Sequence, residues 1–109
     1  MKIAFTATAP DWSALIDPRF GRAAYLMVYD EETDTLKTID NNDIRQAEHG
    51  AGVAMAQKLF ETGAQVLITG NGPGDSAMKA LNKMSLQIVT GMYDISLQKA
   101  YQHYLEQNK

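Results

Sequence analysis

The chain has 109 residues, 45% of them hydrophobic and 21% charged, with 10 Lys and Arg against 13 Asp and Glu for a formal net charge of −3. A chain of this size is expected to form one domain spanning residues 1–109, and an acidic balance argues against nucleic acid or an anionic membrane surface as a partner. The absence of cysteine excludes disulfides, thiolate-ligated iron–sulfur clusters, cysteine zinc sites and cysteine nucleophiles.

Lys2-Ile3-Ala4-Phe5-Thr6-Ala7-Thr8 is short, apolar and β-prone, and reads as a first strand. It begins almost at Met1, with no long apolar h-region before it, and no stretch approaches the ~18–20 apolar residues of a membrane span. A cytoplasmic location is therefore expected. Residues 9–22 contain Pro10, Pro18 and Gly21 and read as a long loop of the kind that usually carries function. Residues 24–30 form a second strand, 31–34 a polar turn and 35–40 an alternating third strand, an antiparallel hairpin with the second.

Residues 41–50 are polar and end in Gly50. Beyond them Val53, Ala56, Leu59 and Phe60 share one helical face, and Gly63 stops the helix. Residues 64–69 read as a doubly buried fourth strand. After the turn at 70–75, a helix capped by Asp75 or Ser76 carries Ala77, Ala80, Leu81 and Met84 on one stripe. Residues 86–90 form the fifth strand, and Asp94 is expected to cap a last helix with Leu97, Ala100, Tyr101, Tyr104 and Leu105 on its buried face. The expected fold is α/β, with the order βββαβαβα and a mixed five-stranded sheet, the order found in the ribonuclease H-like three-layer architecture. In open sheets of this kind ligands sit beyond the carboxyl ends of the strands.

Three loops near those ends carry the candidate chemistry. Asp17-Pro18-Arg19-Phe20-Gly21-Arg22 brings two permanently charged guanidinium forks suited to diffuse anions, with Phe20 as an apolar face and Trp12 as a candidate for a second. The plainer alternative pairs these arginines with Asp11 and Asp17 or leaves them solvated. Gly70-Asn71-Gly72-Pro73-Gly74-Asp75 allows close backbone approach just before a helix N-terminus. It is neither a P-loop nor a dinucleotide fingerprint. Glu48-His49-Gly50-Ala51-Gly52 offers His49, the best metal ligand in a chain without cysteine, although one histidine cannot build a zinc site. His103 reads as exposed and structural. Met27, Met55 and Met84 read as core filler, whereas Met92 follows a strand end and is a candidate lining residue. The first strand lacks the acid that a two-metal nuclease places there, and no nucleophile–base motif appears.

Taken in order and spacing, Asp17-Pro18-Arg19-Phe20-Gly21-Arg22, His49-Gly50-Ala51-Gly52 and Ile68-Thr69-Gly70-Asn71-Gly72-Pro73-Gly74 resemble the dinitrogenase iron–molybdenum cofactor biosynthesis family. The family includes nitrogenase accessory proteins and the small orange proteins of sulfate-reducing bacteria. The resemblance implies a ribonuclease H-like fold without nuclease activity. It also implies non-enzymatic binding or transfer of a preformed metal–sulfur cluster, either of an iron–molybdenum–sulfur type or, in the orange proteins, a molybdenum–copper sulfide held without covalent protein ligands. Arg19 and Arg22 would offset cluster charge. His49 matches the place of a cofactor-binding histidine in some accessory proteins, and Asn71 with the Gly72–Gly74 backbone would donate N–H groups. The candidate site is thus Arg19, Phe20, Arg22, His49, Gly50, Asn71, Gly72, Pro73, Gly74 and Met92, with His49 the candidate metal ligand. The expected partners are the cluster and the proteins that deliver and receive it. A nucleotide- or phosphate-binding regulatory module is the alternative from the same loops. A small hydrolase is the third reading.

Overall fold

The computed structural model describes residues 1–46 and 49–108. Five strands, β1 (Lys2–Ala7), β2 (Tyr25–Asp30), β3 (Thr35–Asp40), β4 (Val66–Ile68) and β5 (Gln87–Val89), form one mixed sheet in the order β3-β2-β1-β4-β5. β1 pairs antiparallel with β2 and parallel with β4; β2–β3 is antiparallel and β4–β5 parallel. The helices are α1 (Asn42–Arg45), α2 (Ala51–Thr62), α3 (Asp75–Leu81) and α4 (Leu97–Gln107). None of the described helices is long and apolar enough to cross a membrane.

The sheet separates two cores, which explains why its central strands are mostly apolar on both faces: side chains alternate between faces, so a strand covered on both sides buries successive residues. Ala4, Leu26, Val28 and Leu67 face Met55, Leu59, Ala77 and Leu81 of α2 and α3. Ile3, Phe5, Met27, Val66 and Ile68 face Leu97, Ala100 and Tyr104 of α4. β3 lies at the sheet edge, with only Leu36 and Ile39 partly buried, one against each core.

Several elements differ from expectation. β1 stops at Ala7, β2 starts at Tyr25, and β4 and β5 keep only three residues each. The polar 41–50 segment holds the one-turn helix α1, so the order is βββααβαβα, not βββαβαβα. Gly74, not Asp75 or Ser76, is the N-cap of α3. Ser96, not Asp94, caps α4, its hydroxyl accepting from the Lys99 N–H at 3.2 Å. Asp94 is instead in the left-handed region at φ 54°. Met84 lies beyond α3 yet packs on the first core.

The buried face of α2 is Ala51, Met55, Ala56 and Leu59, leaving Val53 45% and Phe60 56% exposed. The apolar arc of α2 is wider than the surface available to cover it, so periodicity alone could not choose which edge faces the sheet. Leu105 of α4 is turned outward for the same reason. Phe60→Gln is therefore expected to cost less than about 1 kcal/mol in urea unfolding. A loss near the ~3–5 kcal/mol of a fully buried phenylalanine would restore the sequence-based face.

Candidate functional site

The loop from β1 to β2 doubles back over the carboxyl ends of the parallel strands. Its first half is strapped down by the bridges Ala7↔Ile16 and Leu15↔Ser96, and the Asp17 N–H donates to the Thr6 carbonyl at 2.8 Å. Beneath it the buried Thr6 hydroxyl reaches the Asp17 carbonyl at 2.7 Å and the Thr69 hydroxyl at 2.7 Å, joining β1 and the end of β4 to the loop. Two glycines then let the loop touch neighbouring backbone. A Cβ on Gly21 would stand 2.5 Å from the Gly52 nitrogen and 2.8 Å from the Ala51 carbonyl carbon; one on Gly70 would stand 2.6 Å from Pro18 Cα. Real Cβ atoms do not approach that closely, so only glycine brings the 17–22 segment against both the start of α2 and the turn after β4.

The result is an open cleft of about 450 Å³ lined by Arg19, Phe20, Arg22, His49, Ala51 and glycines 21, 50, 52, 72 and 74. Glycine thus makes up half of the lining, which exposes backbone in place of side chains. α2 begins here. Gly50 is its N-cap in a left-handed conformation (φ 78°), no side chain among the described residues caps it, and the first intrahelical bond runs from the Ala54 N–H to the Gly50 carbonyl. The N–H groups of Ala51, Gly52 and Val53 consequently lack intrahelical acceptors, and the positive end of the helix dipole lies at the cleft. At the start of α3 the balance is different, because Asp75 stands in its first turn.

The two arginines are not equivalent. Arg19 grips the buried Asp17 carboxylate through Nε at 3.1 Å and Nη2 at 3.0 Å, and its own backbone N–H adds a third bond at 3.0 Å. The hydrogen bond to Asp17 raises the Arg19 pKa, opposed by partial desolvation and helped by the carboxylate's charge. Its charge is therefore largely answered within the protein, the arrangement that pairs Arg19 with Asp17. Arg22 has no carboxylate partner among the described residues; its Nη1 donates to the Arg45 carbonyl at 2.6 Å. Among the described residues Arg22 is thus the cationic side chain of the cleft that no carboxylate answers.

The structure brings Arg19, Phe20, Arg22, His49, Gly50, Gly72 and Gly74 to this cleft. Glu48, beside His49, lies outside the described residues. Phe20 is only 4% exposed and belongs to the first core, so it forms the floor and not an exposed wall. Asn71, Pro73 and Met92 do not line the cleft. The Asn71 N–H is used by the Pro18 carbonyl at 2.8 Å and its side-chain oxygen by the Tyr93 hydroxyl at 2.6 Å. Met92 borders a separate groove with His103 on the α4 side of the sheet. Trp12 also lies on that side, in an aromatic cluster with Phe5, Tyr29 and Tyr101. Among the described residues no group of three or more His, Cys, Asp and Glu is placed to hold a metal ion. The candidate site read from the sequence lacks Gly21, Ala51 and Gly52, which line the cleft; the pairing of Arg19 with Asp17 is the alternative the sequence offered, while Asp11 bonds Ser13 instead. The adjacent Gly21 and Gly52 were visible as glycines, but their mutual contact spans most of β2, β3 and α1.

Residues 1–107 match the protein family described as dinitrogenase iron-molybdenum cofactor. The chain is similar to the orange protein from Desulfovibrio gigas in its apo form, with 37% identity and a TM-score of 0.90 over 97% of this chain and 88% of that one. It shares its fold with a putative NifB protein from Thermotoga assigned to the DUF35 family, at 24% identity and a TM-score of 0.79, over 96% of this chain and 87% of that one. No curated protein matches this chain.

Proposed function

We propose a function from one premise: the chain belongs to the dinitrogenase iron-molybdenum cofactor family. It binds and carries a preformed, anionic metal–sulfur cluster, of the molybdenum–copper sulfide or iron–molybdenum–sulfur type, and performs no catalysis of its own. The observation that carries this reading is the cleft itself: an Arg22 that no carboxylate among the described residues answers, an α2 N-terminus that opens on Gly50, and a glycine-rich wall in a protein without cysteine. Such a set cannot supply sulfur, so the cargo arrives with its own sulfide and is held by charge and N–H donors. Similarity to a protein described in an apo form supports a ligand-bearing role.

In this reading Arg22 and the first-turn N–H groups of α2 face the cluster's negative charge, and the free N–H groups of Arg19 add donors at the rim. His49 is the single imidazole in the cleft and serves as the side-chain ligand. Asp75 disfavours an anion directly at the start of α3, so the cargo lies over α2. That also weighs against the phosphate-binding alternative, which leans on the α3 turn. The sheet order with helices on both faces supports a ribonuclease H-like three-layer domain over 1–109. The site of action is the cytoplasm, with cluster donor and acceptor proteins as partners.

The test adds tetrathiomolybdate and copper to the purified protein, followed by gel filtration, visible spectroscopy and metal analysis. Charge-transfer bands should co-elute with the protein. The Arg19→Ala/Arg22→Ala variant should bind about tenfold more weakly or worse, since charge-assisted bonds are lost. Absence of bands in the unaltered protein, or equal binding by the variant, removes the proposal.

A further inference from the structure

Asn41 follows β3 and is completely buried. It occupies the N-cap of α1, where an asparagine side chain normally accepts from the helix's own N–H groups. Here it does not: α1 has no side-chain cap bond. Its Nδ2 instead donates to the Gly21 carbonyl at 3.0 Å and the Ala23 carbonyl at 2.9 Å, the two residues flanking Arg22. Its backbone N–H donates to the Ala24 carbonyl at 3.0 Å. Its backbone carbonyl accepts from the N–H groups of Ile44 at 3.1 Å and Arg45 at 2.9 Å, and the Arg45 carbonyl is what receives the Arg22 guanidinium. One residue therefore holds Arg22 at both ends, the backbone that carries it and the acceptor that aims it.

The side-chain oxygen of Asn41 is buried without a hydrogen-bond partner among the described residues. A buried acceptor left unsatisfied is a cost in stability, and asparagine's usual task at this position is unfilled. What the side chain does achieve is the pair of bonds around Arg22. We infer that Asn41 is a positioning residue for anion binding, setting Arg22 in the cleft through the Gly21 and Ala23 carbonyls and the Arg45 carbonyl. The inference rests on the proposed function for its ligand and on the hydrogen bonds of Asn41 for its mechanism.

Two readouts separate them. In the ligand-free, ¹⁵N-labelled protein, the Arg22 Nε–H signal should be dispersed and sharp. It should collapse to the free-arginine position in Asn41→Ala but stay put in Ile3→Val, which loosens the opposite end of the other core. In binding, Asn41→Ala should weaken tetrathiomolybdate about tenfold, as Arg22→Ala does, and the double variant should be no worse than either single one, because both remove the same interaction. An unmoved Arg22 signal in Asn41→Ala, or additive losses in the double variant, overturns the inference. If Asn41→Ala does not fold, Asn41→Leu, which fills the same space and donates nothing, takes its place with the same expected and overturning results. If neither folds, Asn41 is a folding residue and the inference falls. If the unaltered protein does not bind tetrathiomolybdate, the proposed function fails, while the Arg22 signal still decides the role of Asn41.

Discussion

Gly21→Ala should lower stability by about 1–3 kcal/mol and weaken cluster binding by an order of magnitude or more, because the added methyl collides with backbone and not with a side chain that can turn aside. The Cβ would fall 2.5 Å from the Gly52 nitrogen and 2.7 Å from its Cα, inside the first turn of α2. Relief requires the 20–23 loop or the helix start to retreat, and either movement opens the cleft between Arg22 and the α2 N–H groups. Gly74→Ala is the matched control for stability: nothing lies within 4 Å of its Cβ and its φ of −74° suits any residue, so it should stay within about 1 kcal/mol. Urea unfolding of both variants with tetrathiomolybdate titration of the first checks this. Equal stabilities would mean that the Gly21–Gly52 contact is not needed to seat the loop.

Asp17→Asn should cost about 1–2 kcal/mol in unfolding free energy and make anion binding more salt-dependent. The carboxylate is 1% exposed and accepts three bonds from Arg19, but the Arg19 side chain is half exposed, so water recovers part of what is lost. That solvent access keeps the expected cost below that of breaking a fully buried pair. The charge change is more informative. Asparagine leaves the guanidinium unanswered and raises the formal charge at the cleft by one, so binding of a dianionic probe should fall more steeply with salt than in the unaltered protein. An unchanged salt dependence would mean that Arg19 does not face the ligand. A stability unchanged by the substitution would mean that Asp17 does not hold the loop.

The legibility of this chain differs from element to element for physical reasons. β1 and β4 are legible because strands covered on both faces carry runs of apolar residues, Ile3-Ala4-Phe5 and Val66-Leu67-Ile68, and Gly63 is legible as a helix stop because glycine readily takes the left-handed conformation it has at φ 73°. α1 was not readable, since Asn42–Arg45 has no apolar periodicity and owes its turn to the carbonyl of Asn41. Periodicity puts Val53 and Phe60 on the covered side of α2 because their spacing is as helical as that of Met55 and Leu59, and the structure exposes them. The cap of α4 was placed two residues early, at Asp94, because Asp and Ser are both good capping residues and only the backbone at Ser96 is extended.

The candidate site divides along the same line. By itself the sequence determined which chemistry is possible: without cysteine, and with one histidine among glycines and two arginines, any metal–sulfur ligand must bring its own sulfur and be held by charge, N–H donors and His49. Residue type alone fixes that, since donors and charges belong to side chains wherever they end up. The tertiary structure alone decided which of those groups act together. It tied Arg19 to Asp17 and Arg22 to the Arg45 carbonyl, drew the Asn71 N–H to Pro18, turned Phe20 into the core and placed Met92 on another groove. These outcomes depend on contacts between segments far apart in the chain, such as Gly21 against Gly52, and local sequence patterns carry no record of which distant backbone a residue will meet.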